Sequence, residues 1–184
     1  MAGWHVYSPC WAPVSVVNNA GRHYLELRDA DPYDYARAVR IFPASQKLRA
    51  ELEVQAVNED SYTEIELCDS AGNIPVKIIL DKDQNCQTVN SADTSNVGKY
   101  KTGIWTKLIL TIDLTAGEYS VQLNGNKRKT FSIAERNFAS LERLSIRTGP
   151  WRGSEKGPGA QAIKDVPAER PIVVYVDNVT IDSK

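Results

Sequence analysis

Glu64 and Glu66 stand two apart in the run Thr63-Glu64-Ile65-Glu66-Leu67-Cys68, a spacing that sets both carboxylates on one face of a β-strand. Two acids so placed can flank a glycosidic bond, one protonating the leaving oxygen while the other serves as nucleophile or base. The same spacing also describes a solvated strand face. Asp69 reads as the first residue of the turn Asp69-Ser70-Ala71-Gly72-Asn73, not as a third catalytic acid. The solvated face is therefore the expectation.

Arg143 and Arg147 share one face of the segment Leu141–Thr148, and Arg152 follows in Gly149-Pro150-Trp151-Arg152-Gly153. Guanidinium forks pair bidentately with carboxylate or sulfate. An indole in a loop can stack on the apolar face of a sugar ring. Trp151, Arg147, Arg152 and Arg143 are the candidate ligand contacts, and they favour an acidic glycan. The plainer alternatives are arginines whose stems cover apolar surface and a tryptophan packed as a lid. A lyase would need a Tyr or His base and a cation on the substrate's carboxylate. Tyrosines are scattered, and His5 and His23 read as surface residues. No catalytic residue is assigned.

The elements that must position these groups are strands. Leu108, Leu110, Ile112 and Leu114 alternate with Lys107, Ile109, Thr111 and Asp113. After Thr115-Ala116-Gly117, Tyr119, Val121 and Leu123 alternate with Ser120, Gln122 and Asn124. Leu48, Ala50, Leu52, Val54 and Ala56 alternate with Arg49, Glu51, Glu53 and Gln55. The pattern predicts strands over Val14–Val17, Tyr24–Leu27, Ala36–Phe42, Lys47–Val57, Tyr62–Cys68 and Val76–Asp81. It continues with Gln87–Val89, Lys107–Leu114, Glu118–Leu123, Lys129–Phe131, Leu141–Thr148 and Val173–Ile181. One helical turn is expected within Ala134–Leu141. Asp69–Asn73 and Asn124-Gly125-Asn126 are hairpin turns by composition. Strands on short turns predict an all-β, two-sheet antiparallel sandwich. Its core is expected to hold Leu52, Val54, Leu110, Ile112, Val121, Leu144, Ile146 and Val176, with Trp105 inward and Trp4 and Trp11 plugging one end. Gly149–Pro171, rich in Gly and Pro, breaks the economy and is expected to be functional or mobile.

With 184 residues, the chain is read as one domain over 1–184. A net charge of −1 gives no electrostatic argument for nucleic acid or an anionic membrane, and no apolar run is long enough to span a bilayer. The first residues lack the basic start and apolar stretch of a signal peptide. Cys10, Cys68 and Cys86 are too few for a disulfide scaffold and too irregularly spaced for zinc. Small buried residues are expected, with a Cys68–Cys86 bridge as the alternative.

In order, the motifs YLELRDADPYDYARAVRIFP, ELEVQAV, EIELCDSAGN, W-x-K-L-x-L-x-I-D-L, LERLSIRTGP and VYVDNVTI resemble the concanavalin A-like jelly rolls. These include laminin-G-like modules and the modules attached to secreted bacterial polysaccharide-degrading enzymes. Some jelly-roll glucanases carry E-x-D-x-x-E on one strand; here the middle and last acids are exchanged in type, which weighs against that chemistry. The resemblance implies a carbohydrate context and no single activity. It also implies a structural calcium, with Asp177 of the terminal strand facing the acidic loop of Asp29, Asp31 and Asp34; the alternative is turn chemistry around Pro32. The expectation is a non-catalytic, carbohydrate-associated module, excised from a larger secreted or periplasmic protein. It would bind a polysaccharide or support a neighbouring glycan-active domain. The rivals are a polysaccharide lyase or glycoside hydrolase on this fold, and a purely structural interdomain module.

Overall fold

The structure, a computed structural model, describes residues 3–90, 93–134, 137–149 and 166–183. Among the described residues the regular elements are strands: β1 (Trp4–Tyr7), β2 (Val14–Asn19), β3 (Arg22–Asp29), β4 (Arg37–Ser45), β5 (Lys47–Ala56), β6 (Thr63–Cys68) and β7 (Val76–Leu80), followed by β8 (Asn85–Asn90), β9 (Asp93–Lys99), β10 (Thr106–Asp113), β11 (Glu118–Leu123), β12 (Lys129–Ser132), β13 (Leu141–Arg147) and β14 (Ile172–Ser183). They form two antiparallel sheets, β1-β4-β13-β6-β7-β8-β9 and β12-β11-β10-β5-β14-β3-β2. The sandwich expected from period-two alternation is present. Strands β1 and β9 were not anticipated, and the described part of Ala134–Leu141 forms no helix.

The hairpin β10–β11 pairs Leu110 with Val121 and Ile112 with Tyr119. On its other side β10 sets Leu108 opposite Leu52 and Leu110 opposite Ala50. Every core residue expected from the sequence is buried at 2 % exposure or less. Gly117 (φ 69°) and Gly125 (φ 75°) make the turns that flank β11, a left-handed conformation open to glycine at no steric cost.

The inward expectation for Trp105 and the alternative Cys68–Cys86 bridge need correction, and Cys10 is exposed, whereas Cys68 and Cys86 are buried as expected. Trp105 does not enter the core. It precedes β10 on the outer face of the second sheet, its ring 5.6 Å from that of Tyr24, with the Arg22 guanidinium 3.8 Å above it. Trp4 belongs to strand β1 and packs partly buried against the core. Cys68 and Cys86 are separated by β7 and take opposite faces: Cys68 pairs with the outward Arg143, while Cys86 joins the core between the sheets.

All three cysteines are free thiols. Burial first, and nearby carboxylates second, push the Cys68 thiol up to about 11 and that of Cys86 up to about 12. Only the exposed Cys10 is expected to react with a disulfide reagent in the native protein at pH 8, the other two reacting after denaturation. Rapid native labelling of two or three thiols would contradict this placement.

Candidate functional site: the outer face of the first sheet

Register assigns the outward side chains of the first sheet to rows. One row runs Tyr7, Arg37, Arg147, Glu64, Ile79 and Gln87 across β1, β4, β13, β6, β7 and β8. The next runs His5, Val39, Ser145, Glu66, Lys77 and Val89 over the same strands. A third holds Ile41, Arg143 and Cys68. Glu64 and Glu66 thus share a face, as their spacing requires, and so do Arg143 and Arg147.

The expectation of a solvated face does not hold at its centre. Glu64 and Glu66 are both only 2 % exposed. Buried carboxylates need cations and hydrogen bonds, and cross-strand neighbours supply them. Nη2 of Arg147 donates to Oε2 of Glu64 and, at 2.9 Å, to Oε1 of Glu66. Nζ of Lys77 lies 2.7 Å from Glu64 and 3.7 Å from Glu66. Two carboxylates and two cations make a neutral lattice. Burial opposes the charge of Arg147, but Glu66 and Glu64 more than offset it and hold the guanidinium above its ordinary value. The Arg147 side chain is 14 % exposed. Its guanidinium lies 5.1 Å from the Tyr35 ring centroid. Its Nε is buried without a hydrogen-bond partner.

Tyr62 donates to Oε1 of Glu64 at 3.2 Å. Burial first, and that carboxylate second, push its hydroxyl well above the ordinary tyrosine range. A tyrosine held so firmly protonated is a poor general base. Elsewhere on the face, Arg37 donates through Nε to the Ser145 hydroxyl (2.8 Å), and Arg143 through Nη2 to the Ser70 carbonyl (2.8 Å).

Of the expected ligand residues, Arg147 and Arg143 are brought to this face, while Trp151 and Arg152 lie outside the described residues. His5 and His23 are exposed, as expected. The four aspartates proposed for calcium do not converge. Asp29 pairs with Ile172, and Asp177 is five residues further along β14, about 16 Å at strand rise. There Asp177 accepts from Nε of Arg22 at 2.6 Å, and Nη2 of Arg22 reaches Glu53 at 2.6 Å. The acidic loop is occupied with its own turn. Asp29 accepts from the Asp31 amide and the Thr148 hydroxyl, Asp31 from the amides of Tyr33 and Asp34, and Asp34 from the Tyr35 amide and the Tyr7 hydroxyl. Among the described residues, no group of three or more His, Cys, Asp or Glu side chains is placed to hold a metal ion. A fall of several degrees in the melting temperature on adding a chelator would show an ion bound at the loop without Asp177.

Sequence reasoning missed Lys77 and Tyr62. Lys77 is the second residue of a strand that reads as ordinary alternation, and only the β6–β7 register brings it to Glu66.

The model of the family described as "Sialidase-like, CBM domain" matches residues 4–160. No curated protein matches the chain significantly. Among solved structures, a sialidase superposes at TM-score 0.83 and 24 % identity over 98 % of this chain; the chain spans only 17 % of that sialidase's length. An endo-β-1,4-glucuronan lyase from the fungus Trichoderma reesei superposes at TM-score 0.69 and 14 % identity, covering 100 % of this chain and 92 % of the lyase. Galectin-Ib of Xenopus laevis matches at TM-score 0.52 and 12 % identity, covering 78 % of this chain and 98 % of the galectin. At these identities the likeness is one of fold.

Proposed function

This chain belongs to the sialidase-like CBM domain family, and we propose that it is a non-catalytic module that binds an acidic polysaccharide on the outer face of its first sheet. In this reading it supports a glycan-active catalytic domain of a larger extracellular or periplasmic protein. The observation that carries it is the condition of the paired carboxylates. A retaining or inverting glycosidase needs one acid to give up a proton and one carboxylate to attack or activate water. Glu64 and Glu66 are instead buried and bound to the same two cations. The nearby Tyr62 is held protonated. The face is ordered for recognition, with its acid and base functions tied up.

Acidity of the glycan is supported by charge. Arg37, Arg143, Arg147 and Lys77 face two carboxylates across β4, β13, β6 and β7, an excess of cations. The sialidase and the glucuronan lyase of similar fold are both named for acidic sugars.

The test is incubation of the protein with uronic-acid, sialylated, sulfated and neutral polysaccharides. Retention of acidic polymers without new reducing ends or unsaturated products is expected. Binding should weaken as salt rises, because partly exposed ion pairs are screened. Arg143→Ala should reduce affinity by about three- to tenfold, the loss of one partly exposed charged contact. The expectation for Trp151 is checked in the same titration, where Trp151→Ala should remove most of the binding and leave the fold intact. Product release, or preference for neutral glucans, would overturn the reading.

A further inference from the structure

The Arg143 end of this face leads into a cup. Arg143 leans on the turn Asp69–Asn73 through its bond to the Ser70 carbonyl. Beyond that turn, Asn73 and Ile74 form one wall of a cavity of about 270 Å³. Val89 and Asn90, ending β8, form a second wall, and Ala134 and Phe138, on the way to β13, a third. Val89 pairs with Lys77, so the cup continues the row that holds Ser145, Glu66 and Lys77.

The walls are fixed before any ligand arrives. The amide and side-chain Nδ2 of Asn73 donate to the Asp69 carboxylate at 2.8 and 2.7 Å. Asn90 ties the second wall to the third, donating to the Ser132 carbonyl at 2.6 Å and accepting from the Ala134 amide at 2.9 Å. Such preorganisation removes ordering cost from binding. Ile74 is nonetheless left 41 % exposed. Among the described residues the lining combines apolar CH surface from Ile74, Val89 and Phe138 with asparagine amides. That mixture suits the CH face and hydroxyl rim of a pyranose. The volume lies just under the range usual for small-molecule pockets, room for about one ring.

From β13 to β8 there are three interstrand steps, about 14 Å. A single sugar cannot reach from Arg147 to the cup. We infer that the module takes its glycan as a chain lying across the strands, its acidic group at the arginines and another ring, held through hydroxyls and CH groups, in the cup. This rests on the carbohydrate-binding reading above and adds the length and direction of the ligand.

Calorimetric titration of size-fractionated oligoglucuronates, sialyl-lactosamine chains and chondroitin sulfate oligomers, of two to six residues, tests it. For whichever class binds, affinity should rise about tenfold between the shortest and longest members. Ala134→Trp fills the cup from an exposed position, and Ile74→Ser removes its apolar rim. Both should abolish that gain, keep affinity for the disaccharide within about twofold, and leave the melting temperature unchanged. A parent protein that binds short and long members equally, or a gain that survives both variants, overturns the inference alone. Failure of every class to bind the parent protein overturns the carbohydrate reading and this inference with it.

Discussion

Arg147→Ala is expected to lower the unfolding free energy by about 3–5 kcal/mol, since it strands two buried carboxylates. As cation the two carboxylates would keep Lys77 alone, 3.7 Å from Glu66, and Glu64 would also keep the Tyr62 hydroxyl. The energy comes less from a favourable ion pair than from the cost of leaving buried charge unpaired. The compensated variant separates the two. Arg147→Met combined with Glu64→Gln and Glu66→Gln removes both the cation and the stranded charge. It should recover most of the loss in urea denaturation, a non-additivity expected of side chains in direct contact. A loss below about 1 kcal/mol for Arg147→Ala would mean that water reaches the carboxylates and that the lattice is a surface network.

Ile112→Ala should cost about 2–5 kcal/mol, as for other buried aliphatic truncations. Ile112 is 1 % exposed, between Leu48 on β5 and Tyr119 on β11. Its close control is Ile109, on the outward face of the same strand. Ile109→Ala should cost less than about 1 kcal/mol. Equal losses at both positions, measured by chemical denaturation, would show that the outer face of the second sheet is also covered.

These two cases mark what could be read from the amino acids alone. Facing was legible wherever one side of a strand is buried, because alternation then leaves a period of two. Hence Ile112 inward and Ile109 outward, and hence the shared faces of Glu64 with Glu66 and of Arg143 with Arg147. Strands β1 and β9 escaped notice because they are the edges of the first sheet and are mostly exposed. Thr94-Ser95-Asn96 offers no apolar rhythm. The lattice escaped because it depends on register between strands distant in sequence: Arg147 meets Glu64 only once β13 pairs with β6. The same blindness affected Asp177. Its place in the terminal strand was legible, but its neighbour across the ladder is Glu53, and Arg22 joins the two.

Strand β14 lies in the middle of the second sheet, between β5 and β3, although it is the last strand of the chain in sequence. The sheet therefore exists as two separate blocks, β12-β11-β10-β5 and β3-β2, until that strand is inserted. During synthesis at about 5–20 residues per second, the 116 residues from Ala56 to Ile172 take roughly 6–23 s to appear. Throughout that interval β3 and β5 each present an unpaired edge, and such edges template pairing with other chains. The module is thus most vulnerable to misassembly just before β14 emerges, and a holdase present during that interval should raise its yield more than one added after β14 has paired.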